Sequence, residues 1–125
     1  MIHVVAAIIE DDGLYLACRR RTERSHGGLW EFPGGKVESG ESHYSALVRE
    51  IDEEFGAAII PLSHFATLDD GDLRLIFMRA RLDAPRPTTS TDHDRLEWLA
   101  LAELSSVTWA PADQTAVELL QSGLQ

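Results

Sequence analysis

Cysteine is nearly absent from this sequence, which contains one, Cys18, among 125 residues. A single thiol cannot form an internal disulfide or supply a site built from several thiolates, so both are excluded. Cys18 lies at the end of the apolar stretch 14–18, a setting typical of a thiol buried in a strand. We therefore expect an unreactive thiol and a reducing, cytoplasmic environment.

Long hydrophobic runs are also absent. The apolar run 4–9 is far shorter than the ~20 residues that a membrane-spanning helix needs, and no basic segment precedes it. Hydrophobic residues still make up 44% of the chain, enough for a hydrophobic core that needs no disulfide bonds or structural metal ions. With no repeat and no linker, the sequence predicts one domain over residues 1–125 and no membrane partner.

Basic residues are scarce, at 11 against 21 acidic residues, and the net charge is −10. Binding to nucleic acids requires a basic surface, so neither a general nucleic-acid binder nor an RNA-processing enzyme is expected. The basic residues are unevenly distributed, however. Six of the 11 lie between positions 19 and 49: Arg19, Arg20, Arg21, Arg24, Lys36 and Arg49. A segment with this concentration of basic residues suits the binding of a small polyanion, especially with a metal ion between the segment and the polyanion.

Hydrophobic periodicity predicts strands at 3–9, 14–19, 29–32, 57–68, 73–82 and 96–99. The first is apolar on both faces, which indicates a central position in its sheet. One helix is predicted from His43 to Phe55, capped by Ser42 and ended by Gly56. A second is expected to start at Pro111 and run to about Ser122. Strands combined with two helices indicate an α/β sandwich.

Three carboxylates, Glu50, Glu53 and Glu54, share one face of the first predicted helix. Each like-charged pair costs roughly 0.2–0.5 kcal/mol in an isolated helix, and the helix dipole disfavours anions near this end. One interpretation is a solvated acidic face, with Arg49 paired to Glu53. The other is a site for a hard cation such as Mg²⁺, for which Mn²⁺ can substitute. Zinc and copper are not expected, because paired thiols and helically spaced histidines are missing.

The segment 31–36, Glu-Phe-Pro-Gly-Gly-Lys, comes just before this helix. Glycine allows a close backbone approach and leaves its carbonyl and amide accessible. A lone pair of glycines usually marks a turn. Together with Lys36 and the acidic helix, the pair Gly34–Gly35 indicates a cradle for phosphate and metal.

These residues resemble the Nudix box. Gly35, Glu41, Arg49-Glu50, Glu53-Glu54 and Gly56 fill its seven fixed positions, and Ala57 departs from it where a larger aliphatic residue is usual. Segments 1–9, 19–20, 29–32 and 110–113 are similar to MutT-like enzymes, especially bacterial CTP pyrophosphohydrolases. The resemblance implies an α/β/α sandwich around a mixed sheet.

The resemblance also implies residue roles. Divalent metal would be bound by the carbonyl of Gly34 and by Glu50, Glu53, Glu54 and Asp92. Asp92 is equally consistent with a turn residue of its loop. Glu41 and Arg49 would hold the loop against the helix, and Arg20 and Lys36 would contact phosphate. Glu50 or Glu53 would act as general base, a choice that the sequence leaves open.

The implied activity is hydrolysis of a nucleoside triphosphate to a monophosphate and pyrophosphate, by a monomer or a homodimer. The alternatives are sanitation of oxidised dGTP, hydrolysis of another nucleoside diphosphate derivative, and a non-catalytic nucleotide-binding module. A module of that kind would be expected to lack a box carboxylate, and this chain retains them all.

Asp113 is the candidate base-binding residue. Its position at the start of the last helix is explained equally well by the helix dipole. An ionised carboxylate accepts hydrogen bonds and donates none, which suits the amino group of cytosine. MutT-like enzymes selective for oxidised guanine have Asn at this position and an arginine near the position of Gly71. Both departures favour CTP, dCTP or a modified dCTP.

Overall fold

The structure is a computed structural model in which residues 1–123 are described. Within that range the chain forms seven strands and two α-helices. The strands are β1 (Ile2–Asp11), β2 (Leu14–Arg20), β3 (Trp30–Glu31), β4 (Gly34–Lys36), β5 (Ile59–Asp70), β6 (Leu73–Leu82) and β7 (His93–Leu99). The helices are α1 (His43–Phe55) and α2 (Pro111–Ser122), with a 3-10 helix at Leu101–Ser106 between β7 and α2. Among these residues no helix is long and apolar enough to cross a membrane.

The sheet is mixed and is organised around β1. Along the main path the strand order is β3-β2-β1-β6-β5, with β4 also paired to β1 and β7 to β2. β1 runs parallel to β6 and antiparallel to β4. Val5, Ala7 and Ile9 belong to the core that contains the α1 residue Leu47, whereas Ala6 and Ile8 belong to the core that contains α2. The predicted central strand and the α/β/α arrangement are confirmed.

Local signals set both ends of α1. The Ser42 Oγ accepts a hydrogen bond from the Ser45 amide at 3.0 Å. Gly56 adopts a left-handed φ of 63°, which suits glycine, and its N–H donates to the carbonyl of Asp52. The helix buries Ala46, Leu47, Ile51 and Glu54. Its predicted bounds are confirmed.

Other predictions need correction. β4 lies outside the strands predicted from the sequence, and it forms because Gly34 packs against β1, where a Cβ would collide with the Val5 carbonyl. β7 begins at His93, three residues earlier than predicted, through pairing with β2. The 3-10 helix was not predicted; the indole of Trp109 fixes it by donating to the Leu104 carbonyl at 2.6 Å. Cys18 is buried as expected, and burial raises the pKa of its thiol.

Candidate metal and nucleotide site

An open pocket of about 600 Å³ lies beside β1 and β4, between the last turns of α1 and the start of α2. Its lining includes most of the predicted site residues: Arg20, Gly34, Gly35, Lys36, Glu50, Asp92 and Asp113. A smaller pocket of about 240 Å³ at the β1–β2 turn is lined by Glu10, Leu62 and Arg79 and contains none of them. The larger pocket is therefore the candidate site.

Glycine shapes the wall between β4 and α1. A Cβ at Gly35 would collide with the carboxylate of Glu50. Gly35 therefore allows this carboxylate to lie directly against the strand. Burial is the main reason that the pKa of Glu50 is raised, although the adjacent Arg49 opposes that shift.

Glu54 is buried at 7% exposure, and its Oε2 has no hydrogen-bond partner within residues 1–123. Burial, together with Asp92, Glu50 and Glu31, raises its pKa to about 9. An unpaired buried carboxylate oxygen is costly, and a cation beside it would remove that cost. The adjoining carboxyl groups of Glu50, Glu54 and Asp92 supply the oxygen donors that a hard divalent ion takes.

Glu53 lies differently from its two neighbours. Its side chain is 58% exposed and its Oε2 accepts from the Arg49 Nη1 at 3.1 Å. The described residues contain no cluster of three acidic, histidine or cysteine side chains already arranged as a metal site. Ligation by Glu53 would require its side chain to rotate away from Arg49.

Arg49 holds the box loop against α1. Its Nε and Nη2 donate to the two carboxylate oxygens of Glu41 at 2.7 and 2.8 Å, and Nη2 also donates to the Lys36 carbonyl. These hydrogen bonds lower the pKa of Glu41 to about 2. The contact with Glu53 is present as well, so the two pairings considered from the sequence coexist.

The two predicted phosphate-binding residues lie on different walls of the pocket. Lys36 is exposed at the end of β4. Arg20 ends β2, with its guanidinium donating to a Glu31 carboxylate oxygen at 3.2 Å and to the Ser25 carbonyl at 2.8 Å. Asp92 pairs with Arg24, 2.9 Å away.

Sequence reasoning missed Glu31 and His93. The His93 Nε2 lies 2.8 Å from Glu31 Oε2, and the histidine side chain is completely buried. Neither residue belongs to the box, and 62 positions separate them. The one available signal was a histidine directly after the candidate ligand Asp92.

Asp113 faces the pocket from α2 and is 5% exposed. Its Oδ1 accepts from the Phe32 amide at 2.9 Å. Burial, assisted by Glu31 and opposed by the Phe32 hydrogen bond and by Arg20, raises the pKa of Asp113 to about 8. This raised pKa favours a protonated carboxyl, which donates as well as accepts hydrogen bonds, whereas the sequence argument assumed an ionised one.

Comparison with known proteins gives the same family as the box. The NUDIX domain family matches residues 1–120. The CTP pyrophosphohydrolase of Escherichia coli (strain K12) is 39% identical over 121 residues, covering 94% of this chain and 90% of the relative. The putative 8-oxo-dGTP diphosphatase 2 of Mycobacterium tuberculosis (strain ATCC 25618 / H37Rv) is 36% identical over 116 residues, covering 89% and 82%.

Solved structures agree with the relatives in sequence. A MutT structure from work on Aliivibrio salmonicida and Vibrio cholerae superposes with a TM-score of 0.80 at 32% identity, covering 98% of both chains. The solution structure of the E. coli ORF135 protein gives 0.76 at 35% identity, covering 98% of this chain and 89% of that one. The chain belongs to the Nudix family and is a Nudix hydrolase.

Proposed function

We propose that the chain is an Mg²⁺-dependent pyrophosphohydrolase that cleaves nucleoside triphosphates to nucleoside monophosphate and pyrophosphate. The observation that carries the proposal is one pocket that brings acidic and basic side chains together. Glu50, Asp92, Arg20 and Lys36 line it, and the buried Glu54 lies beside Glu50 and Asp92. Its relatives named as CTP and 8-oxo-dGTP hydrolases support this substrate class.

Nudix hydrolases generally use a divalent metal, and the donor set here fits Mg²⁺ or Mn²⁺. The residues proposed to hold it are the Gly34 carbonyl, Glu50, Glu53, Glu54 and Asp92. When bound, the metal supplies charge neutralisation of the phosphates and a more acidic water. The proposed role of Arg20 and Lys36 is to fix the phosphate oxygens, which positions the anhydride bond for attack.

The general base is a carboxylate of α1. Glu50 is held by Arg49 and lies against Gly35, whereas Glu53 also pairs with Arg49 but is 58% exposed. Either can take the proton of the attacking water if it comes within hydrogen-bonding reach. We keep both as candidates, to be separated by the variants described in the Discussion.

For the base we propose a cytosine nucleotide, with CTP, dCTP or a modified dCTP as substrate. A neutral Asp113 carboxyl presents one donor beside one acceptor. This edge complements N3 and the amino group of cytosine. Glycine rather than arginine at position 71 and the 39% identical CTP pyrophosphohydrolase favour the same base.

Oxidised dGTP is the second candidate. Its O6 acceptor and N7–H donor also complement a neutral carboxyl, so the protonation of Asp113 removes one sequence argument against it. The 36% identical putative 8-oxo-dGTP diphosphatase supports this alternative. The two candidates therefore have to be separated by measurement.

A substrate panel tests the base assignment. We expect kcat/KM for dCTP to exceed the values for dTTP, dGTP and oxidised dGTP by at least about tenfold, the scale of one good base contact. A wild-type preference for oxidised dGTP over every cytosine nucleotide would refute the cytosine proposal.

The same panel, measured against pH, tests Asp113. Its pKa is raised, so the donor to cytosine N3 is present below about pH 8 and lost as the pH rises above it. We expect KM for dCTP to rise from pH 7 to pH 9 in the wild type and to stay nearly constant in Asp113→Asn, whose amide cannot ionise. Parallel pH profiles of the two proteins would remove Asp113 from base recognition.

A further inference from the structure

His93 is a buried histidine whose two ring nitrogens both have partners. Nδ1 lies 2.7 Å from the Ser90 Oγ and Nε2 lies 2.8 Å from Glu31 Oε2. The Glu31 carboxylate already accepts from Arg20, so Nε2 carries the hydrogen and donates to it. The Ser90 hydroxyl then donates to Nδ1. Each neighbour of the imidazole leads to a different part of the proposed site.

The Nε2 side leads to the phosphate-binding wall. Glu31 receives hydrogen bonds from His93 and from the Arg20 guanidinium, and it also lines the pocket. The fully buried His93 ring thus holds the Glu31 carboxylate, and the hydrogen bond between Glu31 and Arg20 orients the Arg20 guanidinium. A guanidinium held in one direction loses less conformational freedom when a phosphate binds.

The Nδ1 side leads to the metal-binding wall. The Ser90 Oγ accepts from the Asp92 amide at 3.3 Å, and the Thr91 amide donates to the carbonyl of Glu54 at 3.0 Å. The short segment 90–92 is therefore tied both to His93 and to the end of α1. This brings the Asp92 carboxylate beside that of Glu54.

Two further contacts fix the imidazole. Its ring stacks on Phe55, with centroids 5.6 Å apart and planes at 17°. His93 is also the β7 partner of Arg20, at the position where the β2–β7 register shifts. A bulge of this kind re-aims side chains beside a site.

We propose that His93 is a positioning residue that holds Arg20, through Glu31, and Asp92, through Ser90, in one arrangement. This inference rests on the proposed function, because it assumes that Arg20 binds phosphate and Asp92 contributes to the metal site. Partners behind the groups that contact a metal commonly change metal affinity or activity by 10–100-fold when removed.

The test compares His93→Phe, His93→Gln and Ser90→Ala with the wild type by calorimetric binding of Mn²⁺ and of inorganic pyrophosphate with Mg²⁺. Phe keeps the ring and its stacking but removes both nitrogens, so we expect about tenfold weaker binding of both. Gln retains an N–H for Glu31 and should recover pyrophosphate binding more than Mn²⁺ binding. Ser90→Ala should weaken Mn²⁺ binding alone. The KM and kcat values for dCTP should change in the same variants, and the effect of His93→Phe should appear mainly in KM.

Leu104→Ala is the matched stability control, because Leu104 is fully buried and is not one of the residues that line the pocket. It should lower Tm without changing either affinity. If His93→Phe and Ser90→Ala lower only Tm, as Leu104→Ala does, His93 is an ordinary core residue and the proposal is overturned; Ser90→Ala still decides if the Phe variant does not fold. Wild-type protein that binds both probes but hydrolyses no nucleoside triphosphate would contradict the proposed function instead.

Discussion

Replacement of Glu53 by glutamine is expected to lower kcat at least about a hundredfold, the scale of one group that transfers a proton or holds a catalytic metal. The change removes one negative charge and one basic oxygen while keeping size and helix propensity. Because the side chain is 58% exposed and its ion pair with Arg49 is a surface pair, little loss of Tm should accompany it. Steady-state kinetics with dCTP and Mg²⁺, together with thermal melts, measure both quantities.

Glu118→Gln is the matched control, since Glu118 is also an exposed helical glutamate but lies on α2 and pairs with Gln114. It should leave kcat unchanged. Glu50→Gln completes the comparison: the variant that loses kcat while retaining Mn²⁺ affinity identifies the base. Near-normal turnover by Glu53→Gln would remove Glu53 from the site and return it to the solvated acidic face considered from the sequence.

Conversion of Arg49 to lysine should lower kcat/KM by at least about tenfold and reduce Tm, although the charge is preserved. Lysine cannot donate in parallel to both oxygens of Glu41, and it loses the contact with the Lys36 carbonyl. The loop that carries Gly34 and Gly35 would then be held less firmly against α1. Kinetics and thermal melts of the purified variant test this expectation.

Arg74→Lys provides a matched control. Arg74 forms a similar two-pronged pair with Asp69, at 2.9 and 3.2 Å, but its side chain is 42% exposed against 24% for Arg49. An exposed pair contributes little, so this variant should behave like the wild type. Full activity and stability of Arg49→Lys would show that Arg49 is merely a surface partner of Glu53.

The features that could be predicted from the sequence are those encoded locally. The cap at Ser42 and the left-handed Gly56 define α1, and the unbroken apolar run 4–9 places β1 in the centre of the sheet. The resemblance to the Nudix box implied the contact between Arg49 and Glu41, which the structure contains.

The features that escaped prediction depend on residues distant in sequence. β4 forms by pairing with β1, and His93 contacts Glu31 although 62 positions separate them in the sequence. The raised pKa of Asp113 follows from its burial, which outweighs the hydrogen bond donated by Phe32, 81 positions away, and no local pattern reveals that burial. The Glu53 side chain is exposed and pairs with Arg49. The sequence left this pairing as one of two options.

Product analysis of dCTP hydrolysis, with and without chelation of divalent metal, tests the central claim most directly. The adjoining carboxylates of Glu50, Glu54 and Asp92 predict that turnover requires Mg²⁺ or Mn²⁺ and yields dCMP and pyrophosphate in equal amounts. Chelation should abolish it, and added Mg²⁺ should restore it. Hydrolysis that persists after chelation, or release of dCDP and phosphate, would contradict the account.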